Sequence, residues 1–188
     1  MNPNSYLSQV LIKTDDEGNK TYYVYGLGLI GQEDHDGSYR TYHFDRRGST
    51  VALTDDTGNV TDRFQYAPYG ELVYRTGTTI TPFQFNGRYG VITDDNGLYY
   101  MRARYYNPEI KRFVNQDVKV GGISQGQSLN RYAYANGNPV SYLDPFGLSR
   151  DEDNWFDNLS DGILSLSVSL NAINDQYIAP ALNRFAKA

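Results

Sequence analysis

One short phrase, written three times, constrains this chain more than anything else in it. Thr14-Asp15-Asp16-Glu17-Gly18 returns as Thr54-Asp55-Asp56-Thr57-Gly58 and as Thr93-Asp94-Asp95-Asn96-Gly97, at intervals of 40 and 39 residues. Asp36-Gly37 and Thr76-Gly77 lie midway, so turn glycines fall at 18, 37, 58, 77 and 97. A short alternating segment with an aromatic pair follows each: Tyr23/Tyr25, Tyr42/Phe44, Phe64/Tyr66, Phe83/Phe85 and, less regularly, Tyr100/Tyr105. Glycine supplies the positive φ that a hairpin turn demands, and aromatics at period two mark a strand with one buried face. The unit then reads as a β-hairpin of roughly 20 residues, repeated about five times, the alternative being a plain β-meander whose turns merely look alike; either is antiparallel β. Hairpins stacked sideways build a sheet or spiral and leave open edge strands that need covering. The expectation is a mainly β fold of repeated antiparallel hairpins over residues 1–103.

From residue 104 the texture changes. Asn107-Pro108, Asn136-Gly137 and Asn138-Pro139 mark irregular turns, and residues 121–128 read as a polar loop. Short strands are expected near Tyr105-Tyr106, Arg112-Val114 and Arg131-Tyr134. Residues 104–148 thus read as an irregular cap. Beyond Leu148, Trp155, Leu159, Ile163, Leu166, Leu170, Ile173 and Tyr177 are spaced three or four apart. That is the stripe of an amphipathic helix, so residues 149–188 are expected to form a short helical tail.

Composition removes whole classes of function. The 188 residues contain no cysteine, which excludes a disulfide framework, thiolate zinc and a cysteine nucleophile. The only histidines are His35 and His43, so a histidine-rich metal site is excluded. The Thr-Asp-Asp-x-Gly turns lack the oxygen spacing and closing glutamate of a calcium loop, and no metal or cofactor is expected. A net charge of −5 with scattered basic residues argues against nucleic-acid binding. No run of eighteen apolar residues suits a membrane span, and the N-terminus lacks the pattern of a signal peptide.

Several motifs in fixed order resemble the Rhs-repeat-associated core. They are Tyr42-His-Phe-Asp-Arg-Arg-Gly-Ser-Thr50, Tyr66-Ala-Pro-Tyr-Gly-Glu71, Gly97-Leu-Tyr-Tyr-Met-Arg-Ala-Arg-Tyr-Tyr-Asn-Pro108, Arg112-Phe113, Asn130-Arg-Tyr-Ala-Tyr134, Asn138-Pro139 and Asp144-Pro-Phe-Gly-Leu148. The resemblance covers residues 20–148. It implies a β-spiral shell around a C-terminal toxin, of the kind found in Rhs polymorphic toxins and in C subunits of insecticidal toxin complexes. It also implies an aspartic-protease element that cuts its own chain after the leucine of D-P-x-G-L.

Carried over residue by residue, the cleaved bond is Leu148–Ser149, within a motif that includes Pro145, Phe146 and Gly147. The two carboxylates are Asp117 and Asp144, and the accompanying arginine is Arg104. Two close carboxylates cannot both ionise, so they share a proton: one activates water while the other protonates the carbonyl or the leaving amine. Two departures bear on this. Val118 stands where the family usually has proline after the first aspartate, and the loop to Asn130 is longer than usual. A displaced loop would misalign the pair.

The competing expectation is a non-catalytic interaction module that docks a toxin stub, a partner or another copy. Expected partners are the rest of an Rhs shell, a toxin segment, or a second copy joined through an open β edge. The chain begins in mid-repeat, so a shell completed by further polypeptide is expected. The resemblance implies a bacterial toxin system, secreted or delivered at the cell surface.

Overall fold

The chain is described here from a computed structural model, in which residues 9–26, 28–118 and 126–148 are defined. The anticipated helical tail, Ser149 and residues 119–125, which include the first part of the polar loop, lie outside the described residues.

Seven strands form one antiparallel sheet, each paired with its neighbour in sequence. They are β1 (Ile12–Thr14), β2 (Lys20–Tyr25), β3 (Leu29–Glu33), β4 (Tyr39–Phe44), β5 (Thr50–Thr54), β6 (Val60–Tyr66) and β7 (Leu72–Thr76). Four shorter strands make a second antiparallel sheet: β8 (Ile92–Thr93), β9 (Tyr99–Met101), β10 (Arg104–Asn107) and β11 (Arg112–Phe113). The sheets change over between Thr76 and Ile92, ahead of residue 104. Arg104 itself opens a strand paired with the one before it, Arg104 opposite Met101.

The aspartates make the turns. Gly18, Gly37, Gly48, Gly58 and Gly97 each donate their N–H to the carbonyl of the aspartate three residues earlier, at 2.9–3.1 Å. Those glycines sit at φ between 75° and 87°, the left-handed region that closes a type I turn with a bulge. In three turns the aspartate also accepts two backbone N–H groups on one carboxylate oxygen: Asp15 from Glu17 and Asn19, Asp45 from Arg47 and Ser49, Asp55 from Thr57 and Asn59. Each 20-residue unit holds two turns, one at each end of the sheet. The return turns, Asp45–Gly48 and Ala67–Gly70, escape the spacing argument because only alternate turns share the repeated phrase.

Alternation along the strands buries Tyr23, Tyr42, Leu53 and Phe64 on one face, joined there by Leu29 and by Phe83 from the linker. Tyr22, Val24 and Val60 lie exposed. A second cluster gathers Phe85, Val91, Tyr99, Met101, Tyr106, Phe113, Tyr134 and Ala135. Tyr66 packs against both clusters.

One expected strand is absent. Phe83 and Phe85 are buried but belong to an irregular segment. Pro82 has no N–H to give a ladder, and the segment's carbonyls are taken from outside it. Thr50 donates its N–H to Gln84 and its hydroxyl to Phe83, while Thr93 donates its N–H to Pro82. Thr79 is tied to Asp62 by its N–H at 3.0 Å and its hydroxyl at 2.5 Å. The two aromatics alternate because one fills the first core and the other the second. Tyr100 and Tyr105 face each other across the β9–β10 pair with ring centres 5.2 Å apart, and the buried aromatics of those strands are Tyr99 and Tyr106. The strand expected at Arg131–Tyr134 reduces to a single bridge between Arg112 and Ala133.

Tyr134 locks the irregular parts together. Its hydroxyl donates to Asn86 Oδ1 at 3.0 Å, and Asn86 Nδ2 donates to the Arg47 carbonyl at 2.8 Å. Tyr134→Phe leaves a fully buried amide oxygen without its donor. Chemical denaturation should show a loss of about 1–3 kcal/mol.

A buried arginine shared by two aspartates

Arg104 begins β10 and turns into the protein beneath the β9–β10 hairpin. It is almost wholly buried. A buried guanidinium must place its donors and its flat face, and this one does both. Nη2 lies 3.1 Å from Asp117 Oδ2 and 3.0 Å from Asp144 Oδ2. Nε donates to the Gly147 carbonyl at 2.7 Å, and Nη1 to the Arg131 carbonyl at 3.2 Å. Beneath it lies the ring of Phe113, its centre 3.6 Å from the guanidinium carbon.

The three residues singled out from the sequence therefore meet, although 13 positions separate Arg104 from Asp117 and 27 separate Asp117 from Asp144. The two carboxylate oxygens touch the same nitrogen, so they are no further apart than the sum of those two contacts. Both aspartates are buried. The longer loop and Val118 do not carry Asp117 away from Arg104.

Asp144 reaches the chain as well as the arginine. Its Oδ1 accepts the Leu148 N–H at 3.0 Å, and its carbonyl accepts the Gly147 N–H at 3.3 Å. Residues 144–148 thus fold into a tight turn closed by an aspartate side chain. Gly147 sits at φ 61°, pressed against the hairpin between Met101 and Arg104. The Ala103 N–H reaches the Phe146 carbonyl at 3.3 Å, and Arg102 lies over the Phe146 ring at 5.8 Å. Pro145 occupies the second position of the turn, where its fixed φ is suitable.

Burial pushes the Asp144 carboxyl up to about 7, against the pull of Arg104 and of the Leu148 N–H, and the charge of Asp117 raises it further. This carboxyl therefore keeps its proton to a higher pH than an ordinary aspartate does. The site thus holds two carboxylates, one ready proton and one cation that accepts no proton transfer. That inventory suits acid–base work on a nearby peptide.

Sequence reasoning placed Phe113 and Arg131 in motifs without assigning them to this site. Phe113 supports the guanidinium, and Arg131 holds the backbone of Asp117 with both its side chain and its own carbonyl. The sole signal for either was its motif position, since neither side chain bears the chemistry itself.

No family model matches the chain. Curated proteins do. The tRNA nuclease WapA of Bacillus subtilis (strain 168) is 33% identical over 144 residues, covering 73% of this chain and 6% of that protein. Double-stranded DNA deaminase toxin A of Burkholderia cenocepacia (strain H111) is 36% identical over 113 residues, covering 57% of this chain and 7% of the toxin. A crystal structure of TcdB2-TccC3 superposes with a TM-score of 0.59 at 25% identity, over 69% of this chain and 7% of that one. The chain thus corresponds to a small part, well under a tenth, of each of these proteins. What it shares with them is a toxin-associated, Rhs-type β segment. Among the described residues, no helix is long and apolar enough to cross a membrane.

Proposed function

We propose that this toxin-associated segment is the end of an Rhs core that cuts its own chain once, at Leu148–Ser149, by aspartic-protease chemistry. One observation carries the reading. The carboxylate that shares Arg104 with Asp117 also holds the N–H of Leu148, the residue whose carbonyl would be attacked.

In the proposed reaction the pair holds one proton. The ionised carboxylate takes a proton from water as the water oxygen bonds to the Leu148 carbonyl carbon. The other carboxyl gives its proton to the Ser149 nitrogen as the C–N bond breaks, which leaves a carboxylic acid on Leu148 and an amine on Ser149. Arg104 keeps the pair near a single negative charge and fixes the Gly147 carbonyl, so the turn cannot swing away from its own catalyst. On this reading residues 1–103 form shell wall, residues 104–148 form the cap with the cutting element, and residues 149–188 are the released segment. The partners are the remainder of a shell and the toxin it encloses, in a bacterial system delivered outside the producing cell.

The test is intact mass spectrometry of full-length chain made by cell-free synthesis, sampled over time between pH 5 and 9. A product ending at Leu148 with a 40-residue partner supports the reading, and a single full-length mass at every pH overturns it. Because Asp144 is raised to about 7, its protonated fraction falls above that pH. The cleavage rate should then drop toward tenfold per pH unit on the alkaline side.

A second reading, a non-catalytic docking module, draws support from β7. All five of its residues are exposed, and on the sheet's edge it offers Leu72, Val73 and Tyr74 to a neighbouring chain. A persistent full-length mass together with concentration-dependent self-association would favour it.

A further inference from the structure

Arg131 lies 14 residues beyond Asp117, on the far side of a loop, yet it grips that residue from two sides. Its Nε donates to the Asp117 carbonyl at 2.8 Å, and its Nη2 donates to the same oxygen. Its own carbonyl accepts the Asp117 N–H at 2.9 Å and also accepts Arg104 Nη1. One residue therefore holds both backbone groups of Asp117 and touches the guanidinium that Asp117 shares with Asp144.

No strand does this work. Asp117 follows the end of β11 by four residues, and the next residue, Val118, is 83% exposed. A carboxylate at the mouth of a loop follows that loop unless its base is closed. Two N–H groups on one carbonyl, with a backbone hydrogen bond returning beside them, close it. The fixed backbone then sends the Asp117 side chain inward to Arg104.

We propose that Arg131 is a positioning residue: by clamping the backbone of Asp117 it sets that carboxylate against Arg104 and Asp144. Its effect on cleavage rests on the self-cleavage reading, but its effect on the placement of Asp117 does not. Arg131 takes no part in bond making.

Two readings test this on Arg131→Met, Arg131→Lys and the unaltered sequence: the first starts from freshly made full-length chain, and the second compares the three in the same state, all whole or all cut. The first is the rate of appearance of the Leu148-ended product by intact mass. Arg131→Met should slow it by about 100-fold, the scale of a 1 Å misplacement, and Arg131→Lys, with a single compact donor head, should recover part of that loss. The second is the carboxyl titration of Asp144 followed by carbon-13 NMR. With Asp117 displaced, its charge no longer raises Asp144, so the midpoint should move down while the spectrum remains that of a folded protein. A merely structural role would leave that midpoint in place.

Unchanged rate and unchanged midpoint in folded Arg131→Met overturn the proposal. If that variant does not fold, Arg131→Lys decides by the same readings. If the unaltered chain does not cut itself, the self-cleavage reading fails, and the titration alone decides whether Arg131 positions Asp117.

Discussion

Asp144→Asn should stop self-cleavage, slowing it by about 1000-fold or more in the intact-mass time course. Asparagine has nearly the same shape and keeps an oxygen to accept the Leu148 N–H, so the 144–148 turn should persist. It cannot carry the shared proton, and its amide cannot pair with Arg104 as a carboxylate does. The change therefore removes the chemistry and keeps the hydrogen bond that closes the turn, while Arg104 loses one of its two buried carboxylates and retains Asp117. Far-UV circular dichroism and the thermal midpoint report on the fold, and the mass reports on the reaction. Cleavage by Asp144→Asn at the unaltered rate would remove Asp144 from the mechanism. The protein should be kept out of strong acid throughout, because the Asp144-Pro145 bond is itself acid-labile and would give a break four residues early.

Gly147→Ala should damage stability and cleavage together. The residue sits at φ 61°, and a Cβ there would stand 2.7 Å from the Met101 carbonyl oxygen and 3.0 Å from the Arg104 nitrogen. Both are backbone atoms of the β9–β10 hairpin, which cannot swing aside as a side chain does. Left-handed strain contributes about 1–3 kcal/mol, and overpacking a similar amount. Denaturant unfolding in the Asp144→Asn background, where the chain stays whole, should show a loss of about 2–5 kcal/mol. In the otherwise unaltered chain the rate should fall by about 100-fold, because any relief moves the Gly147 carbonyl away from Arg104. Gly137→Ala is the control. Gly137 also has positive φ, at 76°, but nothing lies within 4 Å of its would-be Cβ, so only the backbone strain should register.

How far the sequence leads depends on whether a feature is written locally. The aspartate-glycine turns are local: a carboxylate that accepts N–H groups two and four residues ahead is spelled out in five letters. The sheet alternation of Tyr23, Tyr42 and Phe64 is local too. Phe83 and Phe85 show where locality fails. Two buried aromatics at i and i+2 look alike on a strand and on an irregular segment that feeds two cores, and the deciding facts are the hydrogen bonds from Thr50 and Thr93.

At the site, Arg104, Asp117 and Asp144 were picked out by motif resemblance, because no spacing rule joins residues 13 and 27 positions apart. Val118 and the long loop pointed toward displacement of Asp117. Nothing in the sequence announced the counterweight, since the grip of Arg131 on a backbone carbonyl exists only once the loop has closed. Phe113 was likewise invisible as a platform: a phenylalanine in a two-residue strand reads as core, which it also is.

The hydrogen bonds around residues 146–148 have one more consequence. The Phe146 carbonyl is held by Ala103, the Gly147 carbonyl by Arg104, and the Leu148 N–H by Asp144. All three lie on the N-terminal side of the Leu148–Ser149 bond. On the proposed chemistry, the freshly made chain end stays seated after the cut, its new carboxylate beside the groups that produced it. The catalyst is left plugged by its own product and limited to a single turnover, which restricts its reach to the one peptide it carries.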